Sequence, residues 1–207
     1  MIATATHDDL ILLYEWQRRQ APADPYADNC EGFLRDCIII DNAQPDEENG
    51  LTEIPFELWP AQAELLKDIL SERLLLILKS RQLGISWLVL AIALWLCLYR
   101  SGRLVLVFSI GQDEANEMLR RCHAMYWRLT EEMRARLPKL TKDNTEEMAW
   151  ANGSRILSLP SRANAGSSYT ASLAIMDEFA KNPRDGGIYT AVKPTIDGGG
   201  RLIILSS

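Results

Sequence analysis

The amino-acid sequence predicts an α/β protein with a mainly parallel central sheet flanked by helices. Short segments that are apolar at every position recur along the chain, and helical patterns separate them. Strands that are apolar throughout are typical of a parallel sheet covered by helices on both faces. The predicted strands are LLLIL (74–78), LVLVF (104–108), SLAIM (172–176) and RLIIL (201–205).

The segments between these strands justify the helical part of the prediction. PAQAELLKDIL places Pro60 at the first position of a helix. The apolar run after Gly84 predicts a helix over 85–99, and a long helix follows from about Asp113, with apolar residues at helical spacing as far as Met133. MAWANGSRILSL predicts a β-hairpin that turns on Asn152-Gly153.

The N-terminal part of the chain is organised differently. A short helix is predicted over 7–20, followed by a linker rich in Pro and Asp, a strand at 37–42 and an extended segment near residues 51–58. Residues 1–50 are therefore expected to form a small, lid-like subregion of the same domain, and residues 51–207 its core. With 207 residues the chain suits a single domain.

Composition excludes several classes of protein. Hydrophobic residues make up 47% and charged residues 24%, as in a soluble globular protein. The longest apolar run is too short to cross a bilayer, and the N-terminus has no basic region typical of a signal peptide, so no membrane partner is expected. Four cysteines without a CxxC pair and two histidines predict reduced thiols and no zinc site. The net charge of −6 restricts any contact with nucleic acid to a local surface.

The stretch LLLILKSRQLGIS resembles a phosphate-binding loop between a strand and a helix. The pattern G-x-x-x-x-G-K-[ST] aligns with KSRQLGIS (79–86), with Gly84 sixth and Ser86 eighth. Ile85 stands where lysine is usual, and Lys79 stands where the first glycine is usual. Backbone N–H groups and a helix N-terminus attract phosphate whatever the side chains are, and a lysine at the start of the loop can reach the β- and γ-phosphate oxygens. A strand-to-helix turn with incidental charges is the alternative.

The loop hypothesis assigns nucleotide contacts to a continuous segment. Ser86 would also ligate Mg²⁺, and the cation that replaces the usual lysine is either Lys79 or Arg81. The predicted contacts are Lys79, Ser80, Arg81, Gln82, Leu83, Gly84, Ile85, Ser86 and Trp87.

LAIMDEFA (173–180) places two adjacent acids at the end of a buried strand. In P-loop ATPases the first acid holds Mg²⁺, and the next orients or deprotonates the attacking water, so Asp177 is the predicted metal ligand and Glu178 the catalytic base. An N-cap and a first-turn acid of a following helix are the alternative. The order and spacing of this pair and the loop favour an ATP site.

Three further features fit a nucleotide site. Gln62 in FELWPAQ could hydrogen-bond the adenine edge, with Phe56 or Trp59 packing on the base; an exposed glutamine beside core aromatics is the alternative. Ser206, with Ser207 after it, could sense the γ-phosphate at the end of the last strand, or simply begin a turn. Arg162 could act in trans as an arginine finger, and Arg155 and Arg184 are rivals for that role.

Together these motifs resemble the large terminase subunit, the DNA-packaging ATPase of tailed double-stranded DNA viruses. KSRQLGIS is similar to a Walker A loop whose basic residue has moved to its start, and LAIMDEFA to a Walker B strand with its catalytic glutamate. WPAQ is similar to the adenine-recognising glutamine motif, and LSS to the start of the ATPase-coupling motif. The resemblance covers residue 30 to the end, and all four motifs are in the family's order.

The resemblance implies an ASCE-type P-loop NTPase fold and hydrolysis of ATP with Mg²⁺ in the cytoplasm of an infected bacterial host. It further implies a homo-oligomeric ring around double-stranded DNA, with the viral portal protein and the small terminase subunit as partners. The family's C-terminal nuclease domain is absent from this chain, so no nuclease activity is expected. A helicase-like P-loop ATPase and an ATPase-inactive assembly module are the alternatives. Candidate DNA contacts are Arg120, Arg121, Arg128, Arg134 and Arg136.

Overall fold

A seven-stranded sheet forms the centre of the computed structural model, which describes residues 24–43, 45, 50–80, 83–160, 168–181, 189–190 and 192–207. The strands in chain order are β1 (Ile39–Asp41), β2 (Glu53–Pro55), β3 (Leu74–Leu78), β4 (Leu104–Ser109), β5 (Leu140–Asp143), β6 (Glu147–Trp150), β7 (Arg155–Pro160), β8 (Leu173–Met176) and β9 (Arg201–Ser206). The helices are α1 (Cys30–Cys37), α2 (Pro60–Ser71), α3 (Ile85–Tyr99), α4 (Gln112–Arg128) and α5 (Glu131–Arg136). Short 3₁₀ helices span Phe179–Lys181 and Lys193–Ile196.

The strand order in the large sheet is β3-β9-β8-β4-β7-β6-β5. The first five strands in this order are parallel. β6 pairs antiparallel with β7 through the hairpin at Asn152-Gly153, and β5 pairs antiparallel with β6. Strands β1 and β2 pair with each other in a separate two-stranded sheet. The predicted α/β fold with a mainly parallel central sheet is confirmed.

Helices and loops cover both faces of the sheet. Val105 and Val107 of β4 face a core that includes α3 and α4, whereas Leu106 and Phe108 face a second core that includes the 3₁₀ helix Lys193–Ile196. Eleven residues of α3 are buried, so this helix is the centre of the larger core. Alternate residues of a central strand thus enter different cores, which explains why these strands are apolar at every position.

The edge strand β3 departs from the prediction of burial on both faces. Leu74, Leu76 and Leu78 are 52%, 60% and 79% exposed, whereas Ile77 lies in the core. β3 pairs with β9 on one side and ends the sheet on the other. A run of apolar residues did not reveal this edge position, because the local sequence is the same as that of a central strand.

Some predicted boundaries were wrong. The long helix ends at Arg128, because the Thr130 hydroxyl accepts a hydrogen bond from Met133 N–H at 3.2 Å and caps a new helix, α5. The strand predicted at 37–42 is shortened to Ile39–Asp41, since α1 ends at Cys37. β5, a polar strand, was not predicted. The helix predicted over 7–20 lies outside the described residues.

The remaining global expectations concern cysteines and membranes. Cys30, Cys37, Cys97 and Cys122 are free thiols, as predicted. Among the residues that the structure describes, no helix is long and apolar enough to span a membrane.

Candidate functional site

Parallel pairing brings the ends of β3, β9 and β8 to the same edge of the sheet. Backbone hydrogen bonds continue past the strands: Lys79 N–H donates to Ser206 O at 2.9 Å, and Asp177 N–H donates to Phe108 O at 2.9 Å. These bonds fix the first residue of the KSRQLGIS loop and the first acid of LAIMDEFA on the sheet. Two motifs 98 positions apart in the sequence, at Lys79 and Asp177, are therefore neighbours in the fold.

Asp177 lies between a cation and a hydroxyl. Lys79 Nζ is 3.4 Å from Asp177 Oδ1, and the Ser86 hydroxyl donates to Asp177 Oδ2 at 3.4 Å. The side chains of Lys79 and Asp177 are each 11% exposed, so this ion pair is largely shielded from solvent. The structure thus brings together the basic residue at the start of the loop, the hydroxyl at its end and the strand-end acid.

The oxygen donors of this cluster fit a magnesium–phosphate complex. Mg²⁺ prefers hard oxygen ligands, keeps several waters and takes one or two protein groups together with substrate phosphates. Ser86 and Asp177 supply a hydroxyl and a carboxylate of that kind. Within the described part of the chain, no group of three or more His, Cys, Asp or Glu residues forms a metal site of its own. The Ser86 hydroxyl and the Asp177 carboxylate suit a metal whose other ligands are phosphate oxygens and waters.

Glu178 occupies a strained backbone position. Its φ of +54° is the only positive value at a non-glycine residue in the described ranges. Glu178 N–H donates to Asp177 Oδ1 at 3.0 Å, and the Ser207 hydroxyl donates to Glu178 Oε2 at 3.0 Å. Such a conformation costs about 1–3 kcal/mol and persists where the surroundings enforce it. The sharp turn lets consecutive acids project from one strand end in different directions.

Gln62 connects the start of α2 to the loop. Its Nε2 donates to Leu83 O at 2.8 Å, and its Oε1 accepts from Trp59 N–H at 2.9 Å. Gly84, the N-cap of α3, has φ +67°, and a Cβ there would lie 2.9 Å from Gln62 Nε2. Gln62 is 5% exposed, so in this structure its amide holds the loop backbone; adenine recognition by Gln62 remains a hypothesis.

A cavity of about 900 Å³ opens beside these residues. The described residues of the KSRQLGIS loop and the start of α3 line one part of it, and β1, β2 and their flanking residues line another. The described lining residues are Ile40, Asp41, Asn42, Ala43, Ile54, Pro55, Phe56, Glu57, Trp59, Gln62, Lys79, Ser80, Leu83, Gly84, Ile85, Ser86, Trp87, Arg121, Asp177 and Glu178. The predicted contacts Ser80, Leu83, Ile85 and Trp87 thus line this cavity.

Sequence reasoning missed part of this site. The contribution of the β1–β2 hairpin to the cavity was not predicted, because its residues match no sequence motif and line the cavity only as a result of the fold. Ser206 is 6% exposed and contributes its backbone carbonyl, whereas the neighbouring Ser207 provides the hydroxyl that contacts Glu178. Arg81 and Gln82 lie outside the described residues, as do Arg162 and Arg184.

Arg155, the remaining candidate arginine finger, lies at the opposite end of the parallel strands from Lys79. It begins β7 and pairs in register with Leu104 at the start of β4. Its guanidinium carbon lies 5.7 Å from the ring centroid of Tyr169. Arg155 therefore cannot contact the phosphate loop of its own chain from this position.

Most arginines of α4 and α5 hold the fold together. Arg128 bonds to Asp41 at 2.6 Å and to Glu53 at 2.9 Å, and Arg120 bonds to Asp41 at 3.0 Å. These pairs attach the β1–β2 hairpin to α4. Arg134 donates to the carbonyls of Trp127 and Leu129. The DNA contacts suggested for these arginines stay a prediction.

Comparison with known proteins places the chain in a family. The model for "Terminase large subunit, T4likevirus-type, N-terminal" matches residues 76–205, which is more than half of the chain. No curated protein matches the sequence. The matched segment contains the loop, both acids and β9 as far as Leu205.

Solved structures share the fold. The large terminase of bacteriophage HK97 superposes with a TM-score of 0.66 and 15% identity, over 87% of this chain and 37% of that one. An arginine-to-alanine mutant of the large terminase ATPase domain from Thermus phage P74-26 superposes with a TM-score of 0.58 and 19% identity, over 73% of this chain and 65% of that one. The same domain without that mutation superposes with a TM-score of 0.56 and 18% identity, over 80% of this chain and 70% of that one.

The chain therefore spans 65% of the mutant Thermus phage domain and about a third of the HK97 protein. At these identities the superpositions establish only that the fold is shared with these large terminase structures, and the family model establishes the family. The chain belongs to the large terminase subunit family, of which it contains the N-terminal region.

Proposed function

We propose that this chain is the ATPase domain of a viral large terminase subunit, and that it hydrolyses ATP with Mg²⁺ to drive double-stranded DNA into a procapsid. The observation that carries the proposal is the contact of Lys79 and Ser86 with Asp177 beside a cavity large enough for a nucleotide. A cation, a hydroxyl and a carboxylate converge where the triphosphate of a P-loop nucleotide would lie.

The triphosphate lies on the loop backbone and on the N-terminus of α3, which attracts negative charge. The Lys79 ammonium then leaves Asp177 and contacts phosphate oxygens. It thus takes the role of the usual P-loop lysine, whose position Ile85 occupies in this chain. Ser86 and Asp177 would hold the magnesium, which would supply positive charge to the phosphates. Binding thus converts an internal ion pair into contacts with the substrate.

Glu178 acts on the attacking water. Its carboxylate orients the water and accepts a proton as the water oxygen forms a bond to the γ-phosphorus and the bond to the β,γ-bridging oxygen breaks. Inorganic phosphate and ADP are the products. The Ser207 hydroxyl holds the Glu178 carboxylate at 3.0 Å and so connects the catalytic acid to the end of β9.

The assembled ring brings together the subunits, the DNA and an arginine from a neighbouring subunit. Subunits form a ring around DNA in the cytoplasm of the infected bacterium, with the portal protein and the small terminase subunit as partners. Arg162 acts in trans on a neighbour's nucleotide. Residues 1–50, whose described part includes the hairpin strand β1, serve as a lid over the core formed by residues 51–207.

Phosphate release by the wild type and by Glu178→Gln tests this function directly. The variant should bind Mg-ATP as the wild type does and should lose roughly 10²- to 10⁴-fold in turnover, the usual range for removing a general base. Glu72→Gln, an exposed glutamate after α2, is the matched control. Turnover by Glu178→Gln at the wild-type rate would contradict the assignment, and so would a wild-type protein that binds no Mg-ATP at millimolar concentration.

A further inference from the structure

A second cation faces the cavity. Among its described lining residues, the basic side chains are Lys79 and Arg121. Lys79 contacts Asp177, whereas Arg121 lies on α4 with its guanidinium carbon 5.3 Å from the ring centroid of Trp87. The Arg121 side chain is 29% exposed. It is therefore placed to contact a ligand.

Arg121 differs from its neighbours on α4 in its acidic partners. Arg120 and Arg128 are paired with carboxylates of the hairpin at 3.0 Å or less. Arg121 Nε lies 3.5 Å from Glu117 Oε1, but Glu117 also accepts two hydrogen bonds from Arg120 at 2.7 and 2.9 Å. Since Glu117 is shared, Arg121 is held in place while its charge is only partly neutralised.

The position of Trp87 indicates which part of a nucleotide would meet Arg121. Trp87 directly follows Ser86 in the first turn of α3, so it lies next to the end of the phosphate loop. The described lining of the same cavity also includes Ile40, Ile54 and Pro55 of the hairpin, which provide apolar surface. A flat, apolar ring fits such a surface better than a charged phosphate group does.

We propose that Arg121, which lies over the Trp87 ring, forms with it a platform on which the base of the bound nucleotide packs. The inference rests on the proposed function, namely that the phosphate loop binds a nucleoside triphosphate. A guanidinium is planar and stacks on aromatic rings from either face, whereas the ammonium group of lysine is a compact point charge. Stacking uses the face of the base and not its edge, so the platform strengthens binding of ATP and GTP alike.

Calorimetric titrations with Mg-ATP, Mg-GTP and magnesium tripolyphosphate test the platform. Arg121→Ala should weaken the binding of both nucleotides by about 3- to 30-fold, the range for a cation–π contact. Tripolyphosphate has no base, and its binding should not change. Arg121→Lys should behave like Arg121→Ala, because it retains the charge and loses the plane. Arg35→Ala is the control, since Arg35 is exposed on α1 and pairs with the adjacent Asp36.

The outcomes separate this inference from the proposed function. Unchanged nucleotide binding by Arg121→Ala overturns the platform, and so does an equal loss of tripolyphosphate binding, which would place Arg121 on the phosphates. Full recovery of nucleotide binding in Arg121→Lys overturns it as well, because charge alone would then suffice. Each of these results leaves the phosphate loop intact. A wild-type protein that binds neither the nucleotides nor tripolyphosphate overturns both the platform and the proposed function.

Discussion

Lys79 Nζ lies 3.4 Å from Asp177 Oδ1, across the end of the intervening strand β9. Each side chain is 11% exposed, and a shielded ion pair of this kind contributes little net stability because desolvation offsets the Coulomb attraction. Removing one partner, in contrast, leaves a buried charge without its counterion. A pair with a small net contribution to stability is consistent with the proposed function, in which Lys79 exchanges Asp177 for the phosphates of a nucleotide.

The contact between Gly84 and Gln62 predicts that Gly84→Ala is more harmful than an equivalent change elsewhere. Gly84 and Gly102 both have φ +67°, but a Cβ at residue 84 would lie 2.9 Å from Gln62 Nε2, whereas one at residue 102 meets nothing within 4 Å. Both variants bear the cost of a left-handed alanine, about 1–2 kcal/mol. Gly84→Ala should lose about 1 kcal/mol more in free energy of unfolding, measured by urea titration, because of overpacking.

Gly102→Ala thus serves as the control for backbone strain alone. Gln62→Ala by itself loses two hydrogen bonds. The double variant Gly84→Ala/Gln62→Ala should therefore be less destabilised than the sum of the two single variants, because the clash is absent. Equal destabilisation by the two glycine variants would contradict the close packing of Gln62 on the loop.

The attachment of the hairpin to α4 predicts a pH-dependent contribution to stability. Burial raises the pKa of Asp41, but hydrogen bonds from Arg128 and Arg120 outweigh it and hold the pKa below its ordinary value of 3.8. A carboxylate with a lowered folded-state pKa stabilises the fold fully above its unfolded pKa, and the contribution is lost as the pH falls through the folded pKa.

Asp41→Asn should therefore lower the free energy of unfolding at pH 7 by about 1 kcal/mol, a value reduced for solvent screening at this partly exposed site. The difference from the wild type should begin to shrink near pH 4 and vanish below the folded pKa of Asp41. Urea titrations between pH 3 and 7 measure it, with Asp68→Asn, an exposed residue of α2, as the control. A difference that stays constant over this range would refute the charge pairing.

The hydrogen bond from Ser207 to Glu178 predicts an effect on turnover that is separate from binding. Ser207→Ala removes the hydroxyl donor at 3.0 Å and should reduce kcat for ATP about 3- to 10-fold, because one ordinary hydrogen bond contributes about 1 kcal/mol to holding the carboxylate. The dissociation constant for Mg-ATP should be unchanged. Ser207→Thr retains the hydroxyl and should keep most of the activity; if it is as slow as Ser207→Ala, the hydroxyl is not the important group.

The core strands and helices were predictable because their residues repeat a periodic pattern. β3 and α3 begin and end where LLLIL and the apolar run over 85–99 predicted them. The polar strand β5 was not predictable, since LTKD has no apolar pattern of its own. It is a strand because its backbone pairs with that of β6. The capping Thr130 was likewise visible in the sequence but was overridden by the helical spacing around it.

The candidate site was predictable where chemistry depends on residue type. Lys79, Ser86 and Asp177 were selected from motifs, and the structure brings them into contact. The β1–β2 hairpin and Arg121 were not, because their proximity to the loop depends on how α4 packs against α3. Arg121 was grouped with other helical arginines, and its place in the lining of the cavity distinguishes it from them.

Calorimetric titration of Mg-ATP into the wild type, Lys79→Ala and Lys67→Ala tests the central claim most directly. Lys67 is an exposed lysine of α2 and controls for the loss of a positive charge. Lys79→Ala should weaken binding about 10- to 100-fold, as expected for losing a charge-assisted hydrogen bond. Lys67→Ala should bind as the wild type does. If Lys79→Ala binds Mg-ATP with wild-type affinity, the displaced lysine does not hold the nucleotide, and the account of this loop is wrong.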